Sequence, residues 1–100
     1  MATKVAVIHT AASVMKIVAD ALEEAIPGVQ VVNILDDSIV PDAVKAGDIT
    51  DNLQKRMLTH FEAAEMTGAD LVLLACSTVG ETADSARPFM SKPVLRIDEA

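Results

Sequence analysis

Four short runs, KVAVIHT and VQVVNILDD rich in β-branched residues, ADLVLLAC continuously apolar and KPVLRID, alternate with stretches whose apolar residues recur at helical spacing. This alternation constrains the fold more than any other feature of the chain. Between the first two runs, Val14, Ile17, Val18, Ala21, Leu22 and Ala25 mark one face of a helix that Ser13 could cap and that the breaker pair Pro27-Gly28 stops. After the second run a loop from Asp36 to Gly47 holds a short helical turn around Ile39 to Ala46. Ile49, Leu53, Met57, Phe61 and Ala64 then line a longer helix, with Asp48 or Thr50 as its cap and Gly68 at its end. A last helix is expected from about Glu81 to Phe89.

The order β-α-β-α-β-α-β implies a parallel sheet with right-handed crossovers and helices on both faces. The third run is apolar throughout, as expected of a central strand covered on both sides. Ligands of such sheets sit beyond the carboxyl ends of the strands, beside the point where strand order switches. In this chain those ends are His9-Thr10, Asp36-Asp37-Ser38, Cys76-Ser77-Thr78 and Ile97-Asp98.

Composition narrows the possible functions. The chain is 51% apolar but only 2% aromatic, so aliphatic residues must build the core, and there is no stacking platform for bases. Fifteen Asp and Glu against eight Lys and Arg give a net charge of −7, a field that repels phosphate backbones and anionic lipid. Nucleic acid and membrane are therefore not expected partners, and an anionic ligand would need local donors. Apolar runs reach six residues, against the roughly 18 that span a bilayer. No targeting segment is evident, and a single cysteine fits a reducing, cytoplasmic setting.

No metal-ligand spacing, glycine-rich phosphate loop or H-E-x-x-H is present, so no cofactor and no metal is expected. The chemistry rests on the strand ends. Cys76 stands at the end of the third run, and the following STVGE would open a helix whose amides and dipole favour a thiolate. A buried core thiol is the competing reading. Thr78 and Glu81 have the spacing of a capping box, while Ser77 is left to touch a ligand. Thr10 and Ser13 could grip a carboxylate, or Ser13 could serve only as a cap. Asp37, with Asp36, forms either the opposite rim or a solvated turn. His9 is either a core histidine or a group at the mouth of the site, and His60 reads as a partly exposed structural residue on the long helix.

Taken together, VAVIHT, VVNILDDS, GADLVLLACSTVGE and RPFMSKPVLRIDEA resemble the N-terminal half of the aspartate/glutamate/hydantoin racemase superfamily. The likeness extends over essentially all 100 residues, and its most specific piece is the Cys76-Ser77-Thr78 motif after the third strand. Members of that family are cofactor-independent and have two similar α/β lobes, each contributing one cysteine to a site between them. The resemblance implies that Cys76 acts as one acid/base at the α-carbon of a small carboxylate ligand, with Ser77, Thr78 and Thr10 near the carboxylate. It also implies a homodimer that pairs two Cys76 residues across a cleft, or a second lobe that supplies the opposing thiol. A decarboxylase or cis-trans isomerase of the same superfamily needs only one cysteine, and a non-catalytic lobe needs none. The expected fold is one α/β domain over residues 1–100. It is a three-layer, flavodoxin-like lobe with a four-stranded parallel sheet in the order 2-1-3-4.

Overall fold

The structure is a computed structural model and describes residues 2–98. Strands β1 (Lys4–His9), β2 (Gln30–Leu35), β3 (Leu71–Leu74) and β4 (Val94–Arg96) form one parallel sheet in the order β2-β1-β3-β4. The helices are α1 (Met15–Ala25), α2 (Ile39–Ala46), α3 (Asp51–Met66) and α4 (Glu81–Ala86), with short 3-10 turns at Ala12–Val14 and Arg87–Phe89. The expected three-layer α/β fold and strand order are both present.

Side-chain alternation along β1 divides the core in two. Ala6 and Ile8 point to one face, where α2, α3 and α4 contribute Ile39, Leu53, Met57, Phe61 and Ala83 to a large buried cluster. Val5 and Val7 point to the other face, where α1 contributes Val18 and Leu22. Right-handed crossovers require this division, because the chain moves one way from β1 to β2 and the opposite way from β2 to β3 and β4.

The α1 face is thinly covered. Only Val18 of the predicted stripe is fully buried, and Ile17 is 69% exposed. One helix lying on a four-stranded face packs along a single row, so its second apolar row has no surface to rest on among the described residues. For the same reason Leu71 and Leu73 are only half-buried, and Leu95 on β4 and Ile97 just after it are 46% and 48% exposed. β3 is thus fully covered on one face rather than on both.

Boundaries follow local chemistry. Thr50 caps α3, its hydroxyl accepting from the Leu53 amide at 3.2 Å. Gly47 ends α2 in the left-handed region at φ 75°, where its amide reaches the Ala43 and Val44 carbonyls. β3 stops at Leu74, two residues short of the predicted end, because the chain folds into a turn in which the Gly80 amide donates to the Ser77 carbonyl at 3.1 Å. Among the described residues no helix is long and apolar enough to cross a membrane.

Candidate functional site

β1 and β3 are neighbours in the sheet, yet the chain leaves them in opposite directions, toward β2 and toward β4. The crevice between their carboxyl ends is therefore the topological switch point, the place where open α/β sheets bind ligands. Ile8 pairs with Leu74, and the Ala75 amide donates to the Ile8 carbonyl at 2.9 Å, so the two chains still run together where the strands end. Thr10 and Cys76 each follow just after these adjacent strand ends, beyond the last main-chain bond between them.

Thr10 is buried, at 7% exposure, and Cys76 is half-buried and packed against the large core cluster. Ser77 and Thr78 are exposed in the turn that follows, and Ser13 is exposed in the 3-10 turn after β1. Asp37 is exposed just beyond β2, one strand removed from Cys76. Of the expected site residues, then, Thr10, Cys76 and Ser77 gather at the switch point, while Ser13 and Asp37 lie toward its flank.

Three local expectations need correction. Cys76 lies in the segment after β3, not in the strand, and α4 begins only at Glu81, so no helix opens directly after the thiol. Gly80 holds the N-cap position of α4 and no side chain caps it, so Thr78 and Glu81 do not form a capping box. α4 does begin at Glu81, where a helix was expected, and a turn through Val79, whose side chain is fully buried, separates it from Cys76. Ser13 does not cap α1 either, because it lies inside the 3-10 turn and Val14 stands at the N-cap without a side-chain bond.

His9 resolves as a core residue. It shares the parity of Val5 and Val7, which point to the α1 face, is fully buried, and sets Nε2 2.8 Å from Asn33 Oδ1. Its Nδ1 is buried without a hydrogen-bond partner among the described residues. His60 is half-buried on α3, with Nε2 2.8 Å from Asp36 Oδ2.

Two charged clusters at the strand ends escaped the sequence reading. After β2, Asp36 accepts from the Ser38 amide and hydroxyl and faces His60 and Arg56, and Arg56 also reaches Asp42 at 2.9 Å. Partial burial pushes the Asp36 carboxyl up, but the Ser38 and His60 hydrogen bonds outweigh it and bring it down to about 2. After β4, Arg96 is held by Asp98 at 2.9 and 2.8 Å and by Asp84 at 2.7 Å, which raises it above its ordinary value. This guanidinium lies on the backbone of Gly80, where a Cβ would fall 2.6 Å from Nη2. The signal for the Arg96 cluster was the R-I-D spacing at the end of the fourth run. Asp36 and His60 belong to separate elements, and only the fold brings them together.

A cleft of about 390 Å³ lies between the α2–α3 turn, with Val44, Asp48 and Ile49, and the turn before α4, with Thr78 and Glu81. Cys76 does not line it. With Asp48 and Glu81 on its walls the cleft repels a carboxylate, whereas the switch point presents hydroxyls and amides. Among the described residues no group of three His, Cys, Asp or Glu is placed to hold a metal ion.

Comparison with protein-family models, with curated proteins and with solved structures finds no match to this chain.

Proposed function

We propose that this chain is a lobe of the racemase/isomerase type, acting without a cofactor at the α-carbon of a small carboxylate, with Cys76 as its acid/base. One observation supports the reading: Thr10 and Cys76 follow the carboxyl ends of β1 and β3, neighbouring parallel strands at the switch point of the sheet. A thiolate there takes the α-proton, becoming a thiol, and the electron pair left on carbon spreads into the substrate carboxylate. Hydroxyls of Thr10 and Ser77 are the donors that would meet that growing charge, while Thr78, expected beside them, faces the acidic cleft instead.

One thiol works on one face of the carbon. It can remove a proton and return one to the same side, which exchanges hydrogen with solvent but leaves configuration unchanged. Inversion needs an acid on the opposite face, from a second copy of the chain or a second lobe. Decarboxylation or cis-trans isomerisation at the same motif needs only the one thiol. A cytoplasmic setting fits the single unpaired cysteine.

A second reading is favoured by a different observation. Cys76 packs against the large core cluster and lies outside the 390 Å³ cleft, as a structural thiol in a non-catalytic lobe would. Titrating labelled protein with small 2-amino and 2-aryl carboxylates separates the two. Saturable amide shifts confined to Thr10, Ala75, Cys76 and Ser77 are expected of the enzyme, and an unchanged spectrum supports the non-catalytic lobe.

A further inference from the structure

The two edges of the sheet differ in whether they are closed to further pairing. In β4 the odd residues bond inward to β3, as Pro93 and Ile97 do, so the even ones face out. The outward carbonyl of Val94 is capped by Arg87, whose Nε and Nη2 donate to it at 3.0 and 2.9 Å. A three-residue strand with its outward acceptor occupied is a protected edge.

β2 has no such protection. Gln30 and Asp36 donate to Thr3 and His9, so its even residues bond to β1 and its odd residues, Val31, Asn33 and Leu35, direct their N–H and C=O groups outward. Among the described residues nothing pairs with them, since β2 is the last strand of the sheet. The strand QVVNIL carries no charge and no proline in a chain of net charge −7, and Leu35 leaves 41% of its surface exposed. A long, uncharged, unpaired strand is a template for another strand.

We infer that β2 pairs with β2 of a second copy, antiparallel about a two-fold axis through Asn33, joining the two sheets into one. The hydrogen-bonding positions are self-complementary in this register. Val31 of each copy meets Leu35 of the other and Asn33 meets Asn33, making about six main-chain bonds. The exposed Leu35 is then covered by Val31, and both lie on the α1 face. Asn33 Oδ1 already accepts from His9 Nε2, and the Asn33 amide nitrogen is left to donate to the opposing Asn33 across the axis. Charge favours the same arrangement, because the acidic Asp36-Asp37 end of one strand falls opposite the neutral Val29-Gln30 end of the other. The two α1 helices then lie on the same face of the joined sheet. A second copy fits better than an unrelated peptide because one sequence supplies both halves of the pattern. This pairing sends the carboxyl ends of the two sheets in opposite directions, so it leaves each Cys76 where it is and does not depend on what Cys76 does.

The test is molar mass by light scattering over a dilution series. Wild type is expected to move from two chains to one on dilution. Leu35→Lys and Val31→Glu are each expected to be monomeric, with far-ultraviolet circular dichroism and thermal midpoint matching the diluted wild type. Mixing those two variants should restore a heterodimer, since the register sets the introduced lysine directly against the introduced glutamate. A wild type that stays monomeric at every concentration overturns the pairing, as does a dimer that both variants leave intact. A failure of the mixture to dimerise overturns the register. Amide shifts along β2 on adding an unrelated extended peptide, with no dimer, overturn the second copy as occupant.

Discussion

His60 Nε2 lies 2.8 Å from Asp36 Oδ2, and this hydrogen bond ties the long helix α3 to the point where the chain leaves β2. With Ser38 and Arg56 it makes Asp36 the most heavily anchored carboxylate at the upper edge of the sheet.

That anchoring has a pH signature. The Asp36 carboxyl stands at about 2 in the fold, against 3.8 for the unconstrained side chain. A depressed carboxylate contributes stability that is complete above the higher value and is lost as the pH falls through the lower one. The side chain is 19% exposed, and the contribution is on the order of 2 kcal/mol at neutral pH. Unfolding free energy should therefore decline from about pH 4 to pH 2, and Asp36→Asn should be less stable at pH 7 with a flatter acid limb. Urea titrations across that range measure both.

Capping separates two threonines that look alike in the sequence. Thr50→Ala removes the acceptor for the Leu53 amide and should cost about 1 kcal/mol of stability. Thr78→Ala removes no cap from α4 and should change stability by less than about 0.5 kcal/mol. Chemical denaturation of the two variants side by side decides the point.

Gly80 is required by the guanidinium above it. A methyl group there falls 2.6 Å from Arg96 Nη2, and Arg96 cannot retreat without loosening Asp98 or Asp84. Gly80→Ala should destabilise by about 2 kcal/mol, more than the roughly 0.5–1 kcal/mol by which glycine is better than alanine at an N-cap. In an Arg96→Ala background the added cost should vanish. The interaction energy from that double-mutant cycle isolates the contact.

The core prediction follows burial rather than pattern. Phe61 is fully buried, so Phe61→Ala should cost about 3–5 kcal/mol, a large part of what a domain this size possesses. Ile17 is 69% exposed, so Ile17→Ala should lie within about 0.5 kcal/mol of wild type. Thermal or denaturant unfolding of the pair distinguishes them.

Much of this molecule was legible in its sequence, and what was not has physical causes. The period of Leu53, Met57, Phe61 and Ala64 gave α3 and its buried face, because α3 packs onto a face that other helices complete. The same reasoning failed for Ile17, since periodicity reports which residues could be buried and not whether a surface exists to bury them. The T-x-x-E spacing at Thr78 misled because Val79 turns into the core and leaves Gly80, not Thr78, at the N-cap. The strand-end positions of Thr10 and Cys76 could be read from the run boundaries. That β1 and β3 are neighbours could not be read from those boundaries, because it depends on the strand order. Arg96 on Gly80 and His60 on Asp36 are contacts between distant elements that a single sequence does not display.

The central claim is that Cys76 performs proton transfer at a carbon acid, and hydrogen–deuterium exchange at the α-carbon tests it most directly. Protein in deuterated buffer is incubated with single enantiomers of small carboxylates, and α-deuterium is read by proton NMR alongside optical rotation. The expected result is catalysed α-deuteration by wild type that is lost in Cys76→Ser, with configuration retained when only one thiol faces the substrate. Exchange that persists at the wild-type rate in Cys76→Ser, or a wild type that exchanges no faster than buffer, would contradict it.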